Sequence, residues 1–222
     1  MSPEDQLQTL QGRGAPAARE FVLAVTEELD QVARRVSAFG LSEGRRRALG
    51  IVGQMGAELA LGTRTLYDQG LWYPGAALVR QLVEVEYILY LFAMAPEEAD
   101  RWMTANDVQS QRMFSSAEMR KRSGGRFDAK EYSNHCNVGG HPRQAGRTLL
   151  REWVTPLPHK KGAFFDRSAL WIDLAQHLER SWSLFSIGVR QHSPANVYPD
   201  RGTRVDAALK TWHTSDPSVG SI

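Results

Sequence analysis

The chain has 222 residues, 42% hydrophobic and 23% charged, which suits one domain with a sizeable core. A formal net charge of +2 names no partner by itself, and a single cysteine, Cys136, rules out an intramolecular disulfide and points to a reducing cytoplasm. The polar start MSPEDQLQTLQGRG lacks a signal-peptide core, and the longest apolar run, 87–95, is too short to span a bilayer, so a soluble chain with no membrane partner is expected.

Residues 1–15 hold Pro3, Gly12 and Gly14 among polar residues and read as a flexible N-terminal arm. A helical domain then fills 16–192. Its first helix, from about Ala17 to Phe39, carries Val22, Val25, Leu29, Val32, Val36 and Phe39 three and four apart, a narrow stripe that suits bundle packing or a dimer seam. Gly40 ends it. Ser42 and Glu43 open a second helix with Gly53, Gly56 and Gly62 on its apolar side, a sign of close approach to a neighbour, expected to be the next helix. Gly70 closes this helix.

The stretch from Leu71 to Ala95 is apolar nearly all round and should lie inside the bundle, with Pro74 in its first turn. At about 100° per residue, Tyr73, Ala77, Arg80, Gln81, Glu84, Tyr87 and Leu91 share one face. Charges in such a helix need partners. Pro96 with PEEAD starts a fourth helix expected to reach Arg122, and Ser123-Gly124-Gly125 breaks it. A short turn from Asp128 leads through Tyr132 to the loop Gly139-Gly140-His141-Pro142. PLPHKKG, at 156–162, forms another loop, and Asp166 caps a long helix to Gln191 built on Leu170, Leu174, Leu178, Trp182, Phe185 and Val189. Residues 193–222 read as a loosely ordered C-terminal tail, within which Val205 to Trp212 can form a short docked helix. No period-2 strand pattern and no repeat compete with helix, so the fold class is all-α: an antiparallel bundle of about five long helices with mobile N- and C-terminal tails.

The segment Tyr132 to Pro142, YSNHCNVGGHP, gathers two imidazoles, a phenol, a thiol and two amides, and it is the richest local source of partners for Arg80 and Glu84. Arg80, Glu84 and the 132–142 segment are therefore expected in one polar cluster, with His141, His135, Arg80 and Glu84 as candidate catalytic residues. The bland reading of Arg80 and Glu84 at i, i+4 is an ion pair that sets helix register. A zinc site needs more ligands than the local His135, Cys136 and His141, so neither metal nor cofactor is expected. Between Arg112 and Arg151 nine basic residues face three acidic ones, and Arg120, Lys121, Arg122, Arg126, Arg143 and Arg147 are the candidate nucleic-acid contacts. A small-molecule site near Trp72, Tyr73 and Trp102 is a further possibility.

The helix hairpin, the run Ala77-Leu78-Val79-Arg80-Gln81-Leu82-Val83-Glu84, the acidic helix start and Tyr132 through His141-Pro142 together resemble the HEPN-like helical proteins, in particular a bacterial branch related to abortive-infection and toxin components. The resemblance covers roughly Glu43 to Pro142. It implies a helical bundle that commonly forms a homodimer and, in active members, cleaves RNA without metal. Active members carry an arginine separated from the histidine by four to six residues, but here Cys136, His135 and Asn134 hold those places. The expected function is accordingly a non-catalytic or degenerate HEPN-like interaction or defence-system protein with RNA or protein partners. A metal-independent ribonuclease acting through His141 and Arg80 is the alternative.

Overall fold

The computed structural model describes residues 3–39, 44–150, 167–192 and 203–215. The described elements are α1 (Pro3–Phe39), α2 (Gly44–Asp68), α3 (Trp72–Met94), α4 (Glu97–Thr104), α5 (Asp107–Met113), α6 (Ser116–Arg122), α7 (Ala129–His135), α8 (Arg167–His192) and α9 (Thr203–Ser215). A π-helical turn, Cys136–Gly140, continues α7, and a 3₁₀ turn spans Gln144–Leu149. There is no strand among the described residues. The fold is an all-α antiparallel bundle in which α1, α2, α3 and α8 form the body and α9 packs across α1. Gly40, Ser42, Glu43, the 156–162 loop and Asp166 lie outside the described residues, as do 193–202 and 216–222.

The long apolar stripes form the core. Val22, Val25, Leu29, Val32 and Val36 of α1 are all fully buried against neighbouring helices of the same chain, so the stripe that suggested a dimer seam is consumed internally. Gly53 of α2 faces α1 and α8, since a Cβ there would fall within 3.0 Å of Phe185 and Ala33; Gly56 faces Val85 of α3 and Leu29 of α1, and Gly62 faces Leu78 of α3. The close approach expected from the glycines is therefore divided among three helices. Gly70 ends α2 at φ +70°, donating to the Tyr67 carbonyl while Leu71 donates to that of Leu66, the two bonds of a Schellman motif.

Two boundaries differ from the sequence reading. The helix α1 starts at Pro3 rather than near Ala17, so it runs through the segment expected to be an arm and contains Pro16. An interior proline costs about 3 kcal/mol; the burial of Ala15, Ala17, Ala18 and Phe21 around it opposes that loss. The expected single helix from Pro96 to Arg122 is three short ones. Asn106 accepts from the Gln109 N–H while the Gln109 side chain accepts from the Asn106 N–H, a capping box, and Ser115 accepts from the Glu118 N–H. Each cap satisfies donors that a continuous helix would direct to carbonyls one turn back, and so starts a new axis. A small second core of Val83, Tyr87, Leu91, Phe114, Met119 and Phe127 fixes this irregular region to α3.

The helix α9 occupies part of the expected loose tail. Trp212 is 0% exposed and stacks on Phe21 of α1 with ring centroids 5.2 Å apart, and Val205 is buried about two turns earlier on the same helix. Trp212→Ala should lose about 3–5 kcal/mol. At roughly 2–4 °C per kcal/mol for a chain of this size, the thermal midpoint should fall by on the order of 10 °C. An unchanged midpoint in a thermal melt would mean that α9 adds nothing to the bundle.

Candidate functional site

Two polar networks lie on opposite faces of α3. Glu84 and Glu86 stand two residues apart, about 200° around the helix, so they cannot share a partner set.

The outer network contains Arg80 and Glu84 of the four candidate catalytic residues, with Tyr132 from the polar segment; His135 and His141 lie outside it. Arg80 Nη2 donates to Glu84 Oε1 at 2.9 Å and to the Tyr132 hydroxyl at 2.7 Å, and that hydroxyl donates to Glu84 Oε1 at 2.6 Å. Ser116 Oγ lies 3.0 Å from Glu84 Oε1 and 2.7 Å from the Tyr132 hydroxyl, with one proton to give to either. Arg120 covers the Tyr132 ring at 4.6 Å. Burial and the bond to Glu84 push the Tyr132 phenol above its ordinary range. The side chains of Arg80 and Glu84 are 26% and 30% exposed, so the pair is half-buried rather than sealed. This network ties α6 and α7 to α3. His141 is exposed beyond the π turn and outside these bonds.

The inner network contains residues that the sequence reading passed over, apart from His135. Glu86 is 2% exposed, deep between α3 and α8, where Arg180 Nε reaches its Oε1 and His177 Nδ1 its Oε2, at 2.9 and 2.8 Å. His177 is 1% exposed, and its Nε2 lies 3.0 Å from Nε2 of His135 on α7. Arg180 Nη2 also donates to Glu131 Oε1 at 2.9 Å, and Asp173 Oδ1 stands 3.7 Å from both imidazole Nε2 atoms. Arg180 Nη2 is 2.8 Å from His177 Nδ1, but one ring nitrogen cannot donate to Glu86 and accept from Arg180 together. Because Glu131 is available to Arg180, His177 Nδ1 is assigned to Glu86.

The π turn sets His135 in place. A Cβ on Gly139 would lie 2.5 Å from the Ala76 carbonyl carbon and 2.7 Å from the Ala77 nitrogen, so backbone meets backbone where the turn seats on α3. Beside this seat is a cavity of about 460 Å³ between α3, α7 and α8, with apolar walls from Ala76, Val79, Leu170 and Ile172 and a polar end from Glu131, His135 and Asp173. Its size suits a small ligand. None of Trp72, Tyr73 and Trp102 lines it. Among the candidate nucleic-acid contacts, Lys121 and Arg122 border a separate hollow with Arg101 and Arg112, and Arg122 also pairs with buried Glu98. Arg120 and Arg126 lie over the rings of Tyr132 and Tyr90, Arg143 bonds Asn137, and Arg147 is exposed on the 3₁₀ turn.

Comparison of the chain with known protein families, with curated proteins and with solved structures finds no match.

Burial pushes the Glu86 carboxyl up from 4.5 to about 7, against the pull of Arg180, and pushes the His177 imidazole down from 6.5 to about 4. The raised Glu86 contributes stability that is present below pH 4.5 and lost as pH rises through about 7. His177 runs the other way, its contribution being present above pH 6.5 and lost as pH falls through about 4. Where the windows overlap, the proton that the unfolded chain places on the imidazole is kept on the carboxyl in the folded chain, and the slopes oppose. Glu86→Gln removes one side of this balance, so in chelator-containing buffer the variant should lose stability on acidification from pH 6.5 to 4.5 more steeply than the wild type. Parallel urea-unfolding curves across that range would show that the two groups do not offset each other.

Proposed function

We propose that the protein is a non-cleaving HEPN-like bundle, a binding module that takes a small ligand in the cavity between α3, α7 and α8. One observation carries the reading: Arg80 is closed onto Glu84 and Tyr132, with His141 exposed outside that network, whereas the polar groups that do converge beside a cavity are Glu131, His135 and Asp173. Metal-independent RNA cleavage needs a base for the 2′-hydroxyl proton and a cation for the phosphate in one place. Here the cation is already hydrogen-bonded to a carboxylate and a phenol on its own side of the bundle. The candidate phosphate contacts divide between a hollow, two aromatic faces and an amide, which favours a small ligand over a nucleic-acid track. A second copy of the chain has no part in this reading, because the α1 stripe is covered from within.

The test is to incubate wild type and His141→Ala with labelled structured and unstructured RNA in the presence of a chelator. Neither protein should cleave; cleavage by wild type that disappears in His141→Ala would overturn the proposal. Arg80→Ala should act on stability instead, by on the order of 1–2 kcal/mol, since Glu84 keeps Tyr132 and Ser116 and is partly solvated.

A further inference from the structure

We propose that Glu131, His135 and His177, with Asp173 beside the two imidazoles, form a binding site for one divalent transition-metal ion of the zinc class, with Glu86 and Arg180 behind them orienting His177 and Glu131. The four side chains come from two helices with the same internal spacing, carboxylate then histidine four residues on: Glu131 and His135 on α7, Asp173 and His177 on α8. That spacing puts each carboxylate and imidazole on one helix face, and the two faces meet.

The distances fit an ion. Donors about 2.0–2.1 Å from a tetrahedral centre stand roughly 3.4 Å from one another. Here the two Nε2 atoms are 3.0 Å apart, Asp173 Oδ1 is 3.7 Å from each, and Glu131 Oε1 is 3.8 Å from His177 Nε2. Two imidazole nitrogens with a carboxylate oxygen suit zinc and its neighbours rather than calcium or magnesium, which take oxygen.

The surroundings support the same conclusion. His177 is almost wholly buried and presents Nε2 to the cluster, while its Nδ1 is held by Glu86, the carboxylate–histidine arrangement that fixes a metal-binding ring. Three carboxylates, Glu86, Glu131 and Asp173, face one guanidinium, Arg180, so with all ionised the cluster carries two negative charges that a divalent ion balances. Glu131 Oε1 has lone pairs for both Arg180 and an ion. Glu131, His135 and Asp173 also line the cavity, which places an exchangeable coordination position on the ligand side.

The inference rests on the binding-module reading only for the side from which the ion is approached. His141-dependent RNA cleavage in chelator would overturn that reading and leave this one standing. The experiment titrates metal-free full-length protein with Zn²⁺ by calorimetry and with Co²⁺ by visible absorption. Wild type should take up one ion per chain, with a Co²⁺ spectrum of low coordination number. Glu86→Gln and Asp173→Asn should each weaken binding by roughly 10–100-fold, and His135→Ala by more. Cys136→Ser and His141→Ala, which alter the other donors near α7, should bind as wild type does. The proposal is overturned if wild type binds neither ion, if Cys136→Ser or His141→Ala removes binding, or if His135→Ala binds undiminished. Should His135→Ala fail to fold by circular dichroism, the near-isosteric Glu131→Gln decides, and unchanged affinity in it overturns the site.

Discussion

The carboxylate of Glu86, buried in the middle of an apolar helix, is the constraint on which the rest of the site depends. A lone ion in that position would lose several kcal/mol of hydration, so α8 must supply Arg180 and His177 in register with it. Arg180 then reaches Glu131, and His177 reaches His135, so the demand of one residue on α3 is transmitted through α8 to α7. Sliding α8 by one turn would put Asp173 and Gln176, or Ser181 and Leu184, where His177 and Arg180 stand and leave Glu86 without a cation, so the long helices are held to one alignment by a polar contact as well as by their hydrophobic stripes.

The other face of α3 does a different job with similar chemistry. Arg80, Glu84, Tyr132 and Ser116 are half-solvated, so the network is weak per bond, yet it draws together segments more than 30 residues apart in the chain. The Tyr87 and Phe127 rings, 4.1 Å between centroids, pack beneath it. Tyr132 therefore serves the outer network while His135, three residues on, serves the inner one. A seven-residue helix with no buried residue of its own is fixed from both sides by polar contacts.

The long helices were legible because each carries an uninterrupted apolar stripe: Val22 to Val36, Leu170 to Val189, and the all-round apolar α3. Regions with weak stripes were misread. Asn106 with Gln109 and Ser115 with Glu118 are capping signals that the sequence displays, but the acidic start at Pro96 and the absence of glycine made one long helix the simpler reading. Arg80 and Glu84 were found from their i, i+4 spacing, and Tyr132 as their partner from its polar neighbourhood. Glu86, His177, Arg180 and Asp173 are not legible as partners from local sequence, because His177 lies 91 residues from Glu86. The signal available was Glu86 itself: two carboxylates two residues apart in an apolar helix cannot both belong to one polar stripe.

The π turn at Cys136–Gly140 adds one residue to the turn that follows α7, closing i→i+5 bonds where an α-helix closes i→i+4. Its glycine backbone is pressed against that of α3, so the extra residue cannot be absorbed by bowing outward. Removing a single residue there would convert the turn to α-helix and rotate the following chain by about 100°. Length at this point is therefore under the same discipline as residue type: an insertion or deletion between His135 and His141 acts as a change of register, carrying the 3₁₀ turn and its arginines to a different side of the bundle.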